Sequence, residues 1–178
     1  MRKYPQIPLT KEMIETAKSL IPKTRVNRTI ASEIDTLTGH LGEFAFAQYF
    51  YGDWRKNNVG KNKGESDFSD FEIKASTYPF SENLNLLVRE DYAIARKPPF
   101  YVQVIIDVQS RQARDIPPNT MAIIGGFATS DEVDNAPKRD FGSKLGPRGG
   151  YQCHYIRIGN LQPIEGLKAA HSEYTRNK

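Results

Sequence analysis

A single cysteine, Cys153, stands in 178 residues, so no internal disulfide can form and the cysteine-rich zinc sets are excluded. Histidine is nearly as scarce. His40, His154 and His171 are scattered without the spacing of metal ligands. A metal in this protein would be held by carboxylates, which favours a hard ion such as magnesium. No apolar run approaches the roughly 20 residues of a membrane span. The basic start MRKYPQIPLT is followed by no apolar stretch, so no secretory leader is expected and the cytoplasm is the expected location. No repeat and no linker-like stretch breaks the chain, which reads as one domain over residues 1–178. Lys and Arg exceed Asp and Glu by 25 to 21, a mild excess that suits a nucleic-acid partner without requiring one.

The pattern of apolar residues predicts the elements. Thr10 is placed to cap a helix over 11–20, with Met13, Ile14, Ala17 and Leu20 as its apolar stripe, and Pro22 is expected to stop it. Residues 22–37 read as an irregular polar connection. A second helix is expected over 39–51, capped by Thr38 and closed by Gly52; from Phe44 onward it is apolar on nearly all sides, as in a buried helix. Glu43 shares a face of it with Phe46, Ala47 and Phe50. In 71–77, Phe71, Ile73 and Ala75 alternate with Glu72, Lys74 and Ser76, the period of a strand. Residues 84–88 suggest another strand and 89–96 a short helix. The run FYVQVIIDV, 100–108, is β-branched and nearly continuous, as expected of a central strand covered on both faces. Further strands are expected over 120–127 and 151–159, with a long loop over 129–150 between them. This order predicts an α/β or α+β domain built on a mixed central sheet.

Glu72 and Lys74 lie two apart on a strand and so leave the same face. If Ser69-Asp70 makes a tight turn, Phe68 pairs with Phe71 and Asp67 with Glu72, and opposed residues have Cβ atoms about 4.5–5.5 Å apart. Two such carboxylates repel unless one takes a proton or a cation binds between them. With Lys74 beside them, a divalent ion and a phosphate would complete the charge balance, the set needed for metal-assisted phosphodiester hydrolysis. Asp70 is the rival first acid, because Asp70, Glu72 and Lys74 alternate. Positions two apart on one strand, however, are separated by about 6.6 Å, and aspartate is common in turns. Asp67 is therefore preferred.

Asp67-x-x-x-x-Glu72-x-Lys74, preceded by Gly-His-Leu-Gly-Glu43 on a helix, resembles the PD-(D/E)XK nuclease superfamily. Ser66 stands where the motif's name has proline, and the gap between Asp67 and Glu72 is shorter than in many members. The resemblance covers roughly residues 39–77. It implies a restriction-endonuclease-like α/β fold, with a mixed central β-sheet of at least four strands flanked by helices. It also implies an enzyme cutting DNA with Mg2+, for which Mn2+ can substitute. Glu43, Asp67 and Glu72 would be metal ligands, with Lys74 as the fourth catalytic residue. A homodimer would suit a member that cuts both strands. The alternatives are a nucleic-acid-binding or structural subunit of the same fold without activity, and a nuclease directed at RNA.

Three basic clusters, 23–28, 55–63 and 138–148, are candidates to meet phosphates. Within the last two, Arg55, Lys56, Lys61, Lys63, Lys138, Arg139, Lys144 and Arg148 are the candidate contacts, with Ser76 beside Lys74 as a further one. Residues 138–150 suit a flap over the nucleic acid. Trp54, Tyr78 and Tyr92 could stack on bases or pack in turns.

Overall fold

The structure is a computed structural model and describes residues 1–24, 33–59, 67–90, 97–141 and 152–178. In chain order it runs β1 (Gln6–Pro8), α1 (Lys11–Thr24), α2 (Glu33–Tyr51), β2 (Phe71–Tyr78), β3 (Asn85–Arg89), β4 (Phe100–Asp107), β5 (Met121–Thr129), α3 (Ser130–Asn135), β6 (Lys138–Asp140), β7 (Gln152–Arg157) and α4 (Leu167–Arg176). Two short 3-10 turns, Ile158–Asn160 and Ile164–Gly166, lead into α4.

Strands β1, β5, β4 and β2 form one sheet in that spatial order. β2 runs parallel to β4, while β4 with β5 and β5 with β1 are antiparallel, so the sheet is mixed. β3, β7 and β6 form a second, antiparallel sheet. β4 is central, and every residue from Phe100 to Ile106 is buried. Its even-numbered residues face the helices: Phe100, Val102, Val104 and Ile106 share a core with Phe71, Ile73, Met13, Leu41 and Phe44. Tyr101 and Ile105 point the other way and pack with Leu86, Val88, Val133, Ile158 and Leu161. A continuous apolar run is what a strand covered on both faces requires. The result is an α/β architecture, a mixed four-stranded sheet with α1, α2 and α4 on one face and the second sheet with α3 on the other. Among the described residues, no helix is long and apolar enough to cross a membrane.

Several elements depart from the pattern-based expectation. α1 does not stop at Pro22 but continues to Thr24. Proline lacks an N–H and so removes only one bond there, in the last turn, while Ile21 still packs on the core. α2 starts at Glu33, inside the 22–37 segment expected to be an irregular connection. Ile34, Leu37 and Leu41 extend its buried stripe at helical spacing, and this outweighs the cost of Gly39 within the helix. Thr38 is thus inside α2, where its hydroxyl bonds that of Thr77 rather than capping a terminus. Thr10 does cap α1, accepting from the Met13 N–H at 3.2 Å. Gly52 closes α2 with φ +74°, its N–H on the Gln48 carbonyl at 3.1 Å.

The expected loop over 129–150 contains α3 and β6. α3 opens with a capping box, in which the Thr129 hydroxyl accepts from the Glu132 N–H and the Glu132 carboxylate accepts from the Thr129 N–H. Residues 142–150 of the expected flap, and 91–96 of the expected short helix, lie outside the described residues.

Helix α2 comes close to β2 at Gly42. A Cβ placed there would run into the Ala75 side chain on β2. Gly39, three residues earlier on α2, has open space around its would-be Cβ. Gly42→Ala is therefore expected to lower the unfolding free energy by about 1–3 kcal/mol. Gly39→Ala should raise it by about 0.5–1 kcal/mol. Urea unfolding of the two variants beside the parent chain checks both signs.

Candidate functional site

Gly42 lets α2 sit low against β2, and the next residue, Glu43, is carried to the edge of that strand. Among the described residues, β2 is an edge strand of its sheet. Its N-terminal end is prepared by a tight turn. The Phe68 N–H bonds the Phe71 carbonyl at 3.0 Å and the Phe71 N–H bonds the Phe68 carbonyl at 2.7 Å, with Ser69 and Asp70 between. The Phe68 and Phe71 rings both pack on Phe46 of α2, at 5.1 and 5.4 Å between centroids.

Among the described residues the ladder goes no further than this bridge, and Asp67 stands in a bend rather than in a strand pair with Glu72. Its side chain takes over instead. Asp67 Oδ2 accepts the N–H of Ile73 at 2.7 Å, on the free edge of β2. Asn58 holds the same residue from the other side, donating to the Asp67 carbonyl at 3.2 Å. The Glu43 carboxyl reaches round the edge and is hydrogen-bonded to the Asp67 carboxyl. Glu72 and Lys74 stand on the adjoining face of β2, with Lys74 Nζ 3.2 Å from Glu72 Oε1. The four residues Glu43, Asp67, Glu72 and Lys74 are thus brought to one edge.

Both members of the Glu43–Asp67 pair keep an opening to solvent, but their carboxyl groups are crowded by protein. Burial raises the Glu43 pKa well above the carboxylate range. The Asp67 charge, the hydrogen bond with Asp67 and the Glu72 charge raise it further. Burial also raises Asp67, and Glu72 adds to this. The Ile73 N–H, Lys74 and the bond with Glu43 pull it back in part. Both shifts run in the direction that favours one proton held between the two carboxyls, with Glu43 as donor and Asp67 as acceptor.

Sequence reasoning missed Tyr101. Its parallel register puts it beside Glu72, and burial, then the charges of Glu72 and Asp134, push its hydroxyl up to about 12. A tyrosine within an apolar strand carried no signal of that neighbour, because parallel register is not written in either strand.

Asp70 is engaged elsewhere. Its carboxylate accepts from His171 Nε2 of α4 at 2.8 Å and lies 3.5 Å from Lys178 Nζ. Arg55 pairs with Glu12 of α1 at 2.6 Å and lies over the Trp54 ring, which packs on Phe44. Lys56 is exposed in the same turn. Lys138 pairs with Glu90 at 2.7 Å, and Arg139 lies over Phe141 and Tyr155 on the second sheet, so neither contacts the acidic group. Ser76 is half-buried and alternates with Glu72 and Lys74 on β2. Lys61, Lys63, Lys144, Arg148 and Tyr92 lie outside the described residues, and the side chains of the 23–28 cluster are likewise not described.

Among the described residues, no three acidic, histidine or cysteine side chains stand as a finished ligand cage. The chemistry of the donor set nevertheless suits a hard divalent cation. Two desolvated carboxylates share one proton and a third adds its charge, so positive charge is what this edge lacks.

The shared proton sets a direction for stability. A carboxyl whose pKa is raised on folding stabilises the protein below its ordinary value, and that contribution is lost as pH rises toward the folded value. Without added metal, the melting temperature is expected to fall as pH climbs from the ordinary carboxylate range, near 4, toward neutrality and beyond. Glu43→Gln keeps a donor for Asp67 and removes one titrating group, so it should flatten that fall. Thermal denaturation of both proteins in chelator across this range checks it, and parallel curves would contradict the shared proton. Comparison of the chain with family models, with curated proteins and with solved structures gives no match.

Proposed function

We propose that the chain is a magnesium-dependent nuclease that hydrolyses phosphodiester bonds in DNA, with a restriction-endonuclease-like site of the PD-(D/E)XK type. The observation that carries the proposal is the desolvated Glu43–Asp67 pair at the edge of β2, with Glu72 and Lys74 on the adjoining face. Such a cluster is costly to a fold that has no use for it. Glu43, Asp67 and Glu72 would hold the ion, whose chemistry is to polarise the scissile phosphate and acidify a water.

The chain's own groups do the rest. Glu43 would release to solvent the proton it shares with Asp67, which leaves the pair as two anionic oxygen donors. Asp67 keeps its orientation because Ile73 N–H and Asn58 hold it from two sides. Lys74, steadied by Glu72, places a fixed positive charge where negative charge builds on the phosphate oxygens in the transition state. Tyr101 and the apolar residues beneath the second sheet keep the floor of the site dry.

Hydrolysis of a DNA substrate is expected to require magnesium or manganese and to stop with a chelator. Lys74→Ala should slow it by about 10²–10³-fold while the circular dichroism spectrum stays that of the parent. Asp67→Asn should abolish cleavage. Asp70→Asn loses the contacts to His171 and Lys178 and should cost about 1–2 kcal/mol of stability, yet it should still cut. Cleavage that survives thorough chelation, or full activity in Lys74→Ala, would remove the proposal. Activity in Asp67→Asn with none in Asp70→Asn would reassign the first acid.

A further inference from the structure

The free edge of β2 continues beyond the acidic group. The carbonyls of Asp70 and Tyr78 accept from Phe100 and Val108, so the even-numbered residues of this strand turn their backbone groups toward β4. Phe71 and Ile73 turn theirs outward, to Phe68 and to the Asp67 carboxylate. Ala75 and Thr77 share that outward orientation, since backbone direction alternates along a strand.

Beside them is a cleft of about 280 Å³, whose lining includes Thr38, Ala75, Ser76, Thr77, Tyr78 and Arg111. The Arg111 guanidinium lies 5.9 Å from the centroid of the Tyr78 ring, and Tyr78 is 39% exposed. Among the described residues, no ion pair engages Arg111. The Thr38 and Thr77 hydroxyls are bonded to each other, which uses one of their two protons and leaves the other to donate. Asp35, on the α2 side of the cleft, is itself engaged. Outward backbone N–H groups, hydroxyl donors and an arginine in one cleft are the donor set of a phosphate site.

We infer that this cleft holds a backbone phosphate of the nucleic acid strand that is cut, which rests on the proposed nuclease function. Four residues separate Ile73 from Thr77, about 13 Å along an extended strand. Neighbouring phosphates of one strand lie farther apart through space than the rise of about 3.4 Å per nucleotide along the helix axis, so the held phosphate lies about two nucleotides from the scissile one. The anion belongs to the polymer rather than to a free phosphate, because one strand edge leads from the acidic group straight to the cleft.

The test is a DNA substrate with a known cut position, carrying one neutral methylphosphonate linkage moved along either side of the cut. In the parent protein, neutral linkages about one to three nucleotides from the cut, on one side, should slow cleavage several-fold. Arg111→Ala should cut the fully charged strand several-fold more slowly and be indifferent to those linkages, while Arg111→Lys should keep part of the sensitivity. Efficient cleavage with no sensitive position in that window overturns the phosphate site and leaves the nuclease proposal standing. Equal sensitivity in Arg111→Ala does the same. A parent protein that neither binds nor cuts DNA with magnesium overturns both. Inorganic phosphate that competes in the parent but not in Arg111→Ala, without any positional effect on DNA, assigns the cleft to a free anion and also overturns the inference.

Discussion

Gly42 against Ala75 sets how closely α2 can approach β2, and the meeting of Glu43 with Asp67 depends on that approach. A helix normally stands off a sheet by the length of its side chains. Here one missing Cβ removes that spacing at a single point. Glu43 comes immediately after it, so it is carried to the strand edge rather than held above the sheet. Phe46, one turn on, packs against Phe68 and Phe71 and seats the tight turn that presents Asp67. Thr38, one turn back, bonds Thr77 near the far end of β2. Three successive turns of one helix thereby grip one strand along its length.

An edge strand usually exposes a row of unpaired backbone groups, and proteins blunt such rows to avoid unwanted pairing. In this chain the edge of β2 is occupied by chemistry. Asp67 satisfies the Ile73 N–H with a carboxylate rather than a carbonyl, so a backbone requirement and a charged group are joined in one bond. The turn before it is tied down by α4, where His171 meets the Asp70 carboxylate and its ring lies 4.8 Å from Phe71. The C-terminal helix thus acts on the edge by fixing the turn that aims Asp67.

The cluster runs against the ordinary rule that buried charges are paired. Glu43 and Asp67 answer it by sharing a proton, and Lys74 offsets Glu72 alongside. A protein selected for stability alone would place apolar groups here. Local destabilisation at a preorganised site is the usual companion of function.

Elements whose information is local were legible in the sequence. The alternation in 71–77, the unbroken apolar run in 100–108 and the cap at Thr10 each depend on neighbours a few residues away, and each specifies its own element. The tight turn at Ser69-Asp70 belongs to this class, as does the capping box at Thr129, which was present in the residues and passed over. The onset of α2 at Glu33 and the strand Gln6–Pro8 were not legible, because core packing of Ile34 and Leu37 holds the first and pairing with β5 holds the second. For the site, the sequence determined which residues carry charge and that Glu72 and Lys74 share a face. It favoured Asp67 over Asp70 as their companion. Tertiary structure turns Asp67 to the edge of β2 beside them and gives Asp70 to His171. It also placed Tyr101 beside Glu72 and Arg111 beside Tyr78. The physical reason is range: strand period and capping act over a few residues, whereas register, edge position and desolvation exist only once distant segments pack together.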